Sequence, residues 1–327
     1  MSARRPLGRS GLAVSPLCLG GNVFGWSADE ESSFAVLDAY VAAGGNVVDS
    51  ANIYSWWAPG NAGGESEAVI GRWLAARDVP DDLVIATKTG MQGGPDQPKG
   101  LGRDEIMRQC EASLRRLRLD SIPLYYAHED DPATPLAETL GAFDELVAQG
   151  MVGAIAASNY PVARLREALA ISARDGLARF DGYQPHLSVV DRAGYDGPMR
   201  ELCVAEGLGV LPYWTLARGF LTGKYRRGEP LPASPRAAGV ARAYMDDAGF
   251  AALEEVERVA SAHDATPSQV ALAWVMAQPG VVAAIASATT AEQARELASA
   301  MRLRLSADEV ARLDAVAGSP AAVRPRD

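Results

Sequence analysis

Lysine and histidine are nearly missing from this chain: three of each occur in 327 residues. Cysteine is as rare. Cys18, Cys110 and Cys203 are scattered, odd in number and form no C-x-x-C pair, which points to a reduced compartment and to no metal site. Basic charge is in deficit. The formal net charge is −10 and no basic run offsets it, which argues against a nucleic-acid partner. No apolar stretch reaches the ~18 residues that span a bilayer. The N-terminal MSARRPLGRSG has no apolar h-region, so no signal peptide is expected and the chain reads as cytoplasmic. Internal repeats, low-complexity tracts and linkers are absent, and nothing in the sequence sets an oligomeric state.

What is present is alternation. Short apolar runs recur at 15–20, 46–49, 83–88, 122–128, 152–158, 181–186, 209–214 and 281–287. Between them lie amphipathic stretches of helical period. DEESSFAVLDAYVAAG stops at Gly44, and SAHDATPSQVALAWVMAQPG has Thr266 placed as N-cap with Pro267 behind it. Eight such units predict an α/β chain whose parallel sheet closes as a (β/α)8 TIM barrel, one domain over 1–327. The alternative is an open doubly wound sheet, but the loop after the first run, Gly20 to Gly25, lacks the G-x-G-x-x-G spacing. Residues 5–14 alternate around a Gly8-Arg9-Ser10-Gly11 turn and read as an N-terminal β-hairpin plugging one barrel end. Residues 217–243 form the longest irregular stretch, and a loop of that length is expected to be functional or mobile.

In such a barrel the C-terminal strand ends face the active site. The second strand ends at Asp49, the third at Lys88 and the fourth at His128, with Tyr54 on the loop after Asp49. Singly, Asp49 also suits a turn cap, Lys88 a surface position and His128 a core histidine. Together they place a carboxylate, an amine, an imidazole and a phenol on one face. A phenol near pKa ~10 is a weak acid at neutral pH. A neighbouring ammonium favours its phenolate, so Lys88 is expected to lower the Tyr54 pKa, with Asp49 orienting Lys88 and His128 polarising a substrate oxygen. Protonating a carbonyl completes a reduction only with a hydride donor, which implies a nicotinamide. Trp56 and Trp57, beside Tyr54, are expected to line an apolar or sugar-binding pocket for a small carbonyl or alcohol. Glu65 and Glu67 are read as favourable charges at a helix start near Ser66.

These four residues resemble the catalytic tetrad of the aldo-keto reductase superfamily, and the likeness runs over nearly the whole chain. LGRSGLAVSPLCLGG, ASNY (157–160), YQPHLSVVDR (183–192) and LARGFLTGKY (216–225) are similar to the family's hairpin and cofactor-binding segments. The resemblance implies that Ser158, Asn159 and Gln184 hold a nicotinamide carboxamide and that Tyr213 stacks on its ring. It implies that Leu216, Ala217, Arg218, Gly219 and Lys224 meet the pyrophosphate, with Gly21 and Asn22 also in the cofactor set. In IASATTAEQARELA (285–298) the family often has cations for a 2′-phosphate and an Asn for the adenine. Here Ser287, Gln293 and Leu297 stand there, with the Thr289 hydroxyl nearby, and Arg218 or Arg295 is left to supply charge. The expectation is an NADP(H)-dependent oxidoreductase with a modest margin over NAD(H). The alternatives are an NAD(H)-preferring sugar or glycoside dehydrogenase and a nucleotide-binding regulatory subunit like those of ion channels.

Overall fold

A computed structural model describes residues 3–94 and 97–316. The 1–327 span expected for one domain runs past these at both ends, and the first two residues of the N-terminal segment lie outside the described residues. In chain order the elements are β1 (Arg5–Pro6), β2 (Ala13–Val14), β3 (Leu17–Gly20), α1 (Glu30–Ala42), β4 (Val47–Asp49), α2 (Glu65–Ala76), β5 (Val84–Thr89), α3 (Arg103–Leu117), β6 (Ile122–Ala127), α4 (Leu136–Ala148), β7 (Val152–Ser158), α5 (Val162–Asp175), β8 (Phe180–Gln184), α6 (Pro198–Glu206), β9 (Gly209–Val210), α7 (Ala237–Tyr244), α8 (Asp247–Ala262), α9 (Pro267–Ala277), β10 (Ala284–Ala286), α10 (Ala291–Ser299) and α11 (Ala307–Val316).

Strands β3 to β10 are parallel, in the order β10-β3-β4-β5-β6-β7-β8-β9. The ring closes where Val210 bridges Val281 and the Val282 N–H donates to the Val210 carbonyl at 2.9 Å. Closure rules out the open sheet and gives the (β/α)8 architecture. Each predicted apolar run overlaps one of these strands, with β5 running one residue past its run and β8 starting one residue before. The seventh is cut to two residues because Pro212, with no N–H, cannot extend the ladder. Hairpin β1–β2 pairs Arg5 with Val14, and buried Leu7 and Val14 join the barrel-interior cluster with Cys18, Val47, Val84, Ala86, Leu124 and Tyr126. A Cβ on Gly8 (φ 56°) would lie 2.1 Å from the Asp181 carbonyl oxygen, so only glycine lets the turn seat against β8.

Side chains along a strand alternate between the two sheet faces. In β5, Val84 and Ala86 are interior while Ile85 packs in the outer core, so Lys88 is interior by the same count. The count gives Asp49 after Val47 in β4, and His128 after Leu124 and Tyr126. It also gives Ser158 after Ala154 and Ala156 in β7. The strand-end positions Asp49, Lys88, His128 and Ser158 therefore share the inner face at one end of the barrel, and Tyr54 stands on the loop that follows β4.

Helix caps match the local sequence. Thr266 caps α9 in a capping box with Gln269, and Pro267 follows it, as expected. Two readings change. Residues 237–244, expected to be irregular, form α7, a helix whose Gly239 and short length hide its period. Glu65 and Glu67 do more than complement a helix terminus. Glu65 accepts from the Ala62 and Gly63 N–H groups, at 2.8 Å from Ala62. Glu67 is fully buried between Thr87 Oγ1 (2.5 Å) and Arg116 Nε (2.6 Å).

Candidate active site

Three groups meet the Lys88 ammonium inside the barrel. Nζ lies 2.6 Å from Asp49 Oδ2, 2.7 Å from the Ser50 carbonyl and 2.8 Å from the Tyr54 hydroxyl. Its three protons are thus matched by three acceptors, and its side chain is fully buried. Asp49 is locked in turn. Its second oxygen accepts from Gln184 Nε2 at 2.8 Å, and Tyr54 donates to Oδ2 at 3.2 Å. Ser50 is fixed by its hydroxyl against that of Ser66 (2.9 Å), which donates to the Gly21 carbonyl (2.8 Å), while the Gly21 N–H meets the Asp49 carbonyl (2.7 Å).

Tyr54 faces His128, with ring centroids 6.2 Å apart. Burial first, and then the Lys88 charge, hold His128 well below the ordinary imidazole range, so its ring is neutral at pH 7. One ring nitrogen, Nδ1, is buried with no hydrogen-bond partner among the described residues. The expected lowering of the Tyr54 pKa is not what this site gives. Burial, and then the Asp49 carboxylate, raise the phenol well above its ordinary value. Burial also lowers Lys88 despite Asp49. The resting site therefore holds a protonated phenol hydrogen-bonded to Lys88.

A cleft of about 1300 Å³ opens above this cluster. Asp49, Tyr54, His128, Ser158, Asn159, Gln184, Tyr213, Leu216, Arg218, Gly219, Lys224, Asn22, Ser287, Thr289 and Gln293 all line it. Lys88, Gly21 and Ala217 are not among the residues that line it. Ser158, Asn159 and Tyr213 form one chain. Tyr213 donates to Asn159 Oδ1 at 2.9 Å, and Asn159 Nδ2 reaches the His128 carbonyl (3.0 Å) and Ser158 Oγ (3.1 Å). Of the tryptophan pair, Trp57 lines the cleft and Trp56 does not, although both are about 40 % exposed: Trp56 41 %, Trp57 39 %. Trp57 packs edge-on against Trp26 (5.7 Å).

Trp26, Met91 and Arg236 line the cleft without having been singled out from the sequence. Arg236 lies over the Trp26 ring at 5.3 Å. Burial, and then Arg218, lower its guanidinium below the usual range; burial and Arg236 do the same to Lys224. Among the described residues no carboxylate is ion-paired with either cation. Arg295, considered earlier, is outside the cleft and hydrogen-bonds Glu292 at 3.4 Å. Arg218 stacks on Trp214 at 3.8 Å. Ser287 donates to Asn22 Oδ1 (2.6 Å), and Thr289 meets Gln293 Oε1 through both N–H and hydroxyl (2.9 and 3.1 Å).

A closed eight-stranded barrel with this strand-end cluster has counterparts in sequence. The profile of the Aldo/keto reductase family matches residues 16–317. The chain is 33% identical over 327 residues to the oxidoreductase YrpG of Bacillus subtilis (strain 168), covering 98% of this chain and 97% of that one. It is 30% identical over 319 residues to norsolorinic acid reductase of Aspergillus flavus, covering 93% and 78%. It is 32% identical over 296 residues to a probable voltage-gated potassium channel subunit beta of Oryza sativa subsp. japonica, covering 88% and 87%. The chain belongs to the aldo-keto reductase family, and it is an oxidoreductase of the kind that reduces carbonyl groups with a nicotinamide cofactor. Among the described residues no helix is long and apolar enough to cross a membrane.

Proposed function

We propose that this protein reduces an apolar aldehyde or ketone with NADPH, with Tyr54 delivering the proton. The observation that carries this is Lys88 Nζ held between Asp49, the Ser50 carbonyl and the Tyr54 hydroxyl. Because Lys88 donates to the phenol oxygen, the phenolic proton is aimed elsewhere, and at rest it goes to Asp49. A carbonyl oxygen seated between Tyr54 and neutral His128 accepts a hydrogen bond from each. A reduced nicotinamide supplies the hydride when bound. As the phenol proton moves to the substrate oxygen, the Lys88 charge stabilises the phenolate left behind. Val23, Trp26, Ile53, Trp57 and Met91 border this end of the cleft, which favours an apolar carbonyl over a sugar.

The raised Tyr54 pKa sets the sign of the pH dependence. Reduction needs the protonated phenol, which is retained past the ordinary value of ~10. Alcohol oxidation needs the phenolate. Reduction is therefore expected to gain nothing from about pH 7 to about pH 9, while oxidation climbs throughout. Initial rates in both directions on one buffer series check this. A plateau in oxidation near neutral pH contradicts it.

The residues present fit a phosphorylated cofactor. Lys224 and Arg236 give the cleft two cations depressed by burial and by like charge, and an anion relieves both. We assign the 2′-phosphate to Arg236 with Lys224, which line the same cleft as Ser287, Thr289 and Gln293. One charge-assisted hydrogen bond, at about 1.5–3 kcal/mol, gives roughly a ten- to hundredfold preference for NADPH over NADH. Titrating both cofactors onto wild type, Arg236→Ala, Arg218→Ala and Arg295→Ala is expected to show the preference lost in Arg236→Ala and kept in Arg295→Ala. NADH binding as tightly as NADPH to the wild type contradicts the assignment. A second reading, a nucleotide-binding regulatory subunit, has the rice relative's name in its favour. The hydrogen-bonded Asp49–Lys88–Tyr54 cluster, with His128 beside the phenol, favours turnover.

A further inference from the structure

Behind Tyr213 lies a second histidine that the chemistry above does not use. His186 is buried at 2 % exposure and stands outside the cleft lining. Its ring is stacked on Tyr213, with centroids 5.5 Å apart and planes 20° from parallel. Trp214 meets both rings edge-on, at 4.9 Å from His186 and 5.3 Å from Tyr213. The imidazole is anchored at one ring nitrogen. Nδ1 lies 3.2 Å from Asp191 Oδ2, itself buried. Asp191 closes a tight turn in which its N–H and carbonyl both pair with Ser188 (3.2 and 2.9 Å). The His186 backbone bridges that of Tyr213, and a Cβ on Gly194 would come within 2.8 Å of the His186 carbonyl oxygen.

We infer that His186, oriented by Asp191, is a positioning residue that sets the plane of Tyr213 and through it the plane of the hydride donor. This rests on the reading that the nicotinamide lies on the cleft face of Tyr213. Tyr213 is held at its tip by Asn159 and at its backbone by Pro185 and Leu187, contacts that do not by themselves set the rotation of the ring about its long axis. A flat, immobile surface stacked against its rear face removes that freedom at the ring spacing aromatic pairs prefer. The role needs a planar ring at 186. The hydrogen bond to Asp191 serves only to aim it.

The test separates ring from hydrogen bond. His186→Gln and His186→Asn keep a donor for Asp191 but have no ring. His186→Phe keeps the ring, and His186→Phe/Asp191→Leu does so without stranding a buried carboxylate. Variants with wild-type melting temperature are compared in single turnovers of NADPH, and of NADPH deuterated at nicotinamide C4, with benzaldehyde. Cofactor affinity comes from fluorescence quenching. The amide variants are expected to transfer hydride about tenfold more slowly, with a larger isotope effect on that single-turnover rate and cofactor affinity within about threefold of wild type. The aromatic variants stay within about twofold. Wild-type hydride transfer in His186→Gln and His186→Asn overturns the inference, and so does an aromatic variant as slow as the amides. Tyr213→Leu tests the underlying reading. If it binds and turns over like wild type, the nicotinamide does not lie on Tyr213. If it is impaired while the amide variants are not, only the role of His186 fails.

Discussion

Tyr54→Phe is expected to lower kcat for aldehyde reduction by at least the ~10²-fold typical of one general acid, with NADPH affinity nearly unchanged. The substitution keeps the ring and deletes one oxygen. That oxygen accepts from Lys88 at 2.8 Å and donates to Asp49 at 3.2 Å, so its loss also leaves Lys88 one acceptor short. The remaining pair, Lys88 with Asp49 at 2.6 Å, still neutralises both charges, and the Ser50 carbonyl still holds the ammonium. The fold should therefore survive and the defect fall on proton delivery. Steady-state reduction of benzaldehyde, alongside cofactor quenching, reads both quantities. Full turnover by Tyr54→Phe removes the phenol from the reaction.

Lys88→Arg should be nearly as damaging, although it preserves charge. Lys88 is fully buried, with three acceptors arranged around one compact nitrogen. A guanidinium is planar and larger, and its fork cannot point three ways from one atom. In the closed barrel interior the extra bulk displaces Tyr54, and misplacement of that order costs about 10²-fold in rate. Lys88→Met tests the charge instead. It strands the buried Asp49 carboxylate, a loss of the order of 3–5 kcal/mol, and removes the cation that stabilises the phenolate. Both variants should lose most reduction. Lys88→Met should also be measurably less stable to denaturant, whereas Lys88→Arg keeps the ion pair. Wild-type rates in the arginine variant contradict the role assigned to a compact ammonium.

Much of this site is legible because strands impose strict alternation. Once each run is read as a strand, the inward positions follow by counting, and Asp49, Lys88, His128 and Ser158 fall on one face. The α9 start is legible for a local reason: the capping box and its proline lie within the four consecutive residues Thr266 to Gln269. What is not legible depends on contacts distant in sequence. Arg236 is one arginine among several in a long loop, and only the folded chain brings it over Trp26. Trp56 and Trp57 are adjacent in sequence, yet only Trp57 enters the cleft wall, where it packs against Trp26 and Tyr54. The Tyr54 pKa reverses the expected direction for the same reason. The sequence shows a lysine nearby, but the burial and the Asp49 contact that outweigh it exist only in three dimensions.

The central claim is that a reduced nicotinamide bound in this cleft is turned over by the Tyr54–Lys88–Asp49–His128 cluster. Stopped-flow mixing of the protein, carrying one equivalent of NADPH, with excess benzaldehyde tests it most directly. The expected result is exponential loss of the reduced-nicotinamide absorbance with one equivalent of benzyl alcohol formed, and no loss in Tyr54→Phe on the same timescale. Tight NADPH binding with no oxidation by benzaldehyde or a panel of other aldehydes and ketones would contradict it, and would leave a protein that holds the nucleotide without spending it.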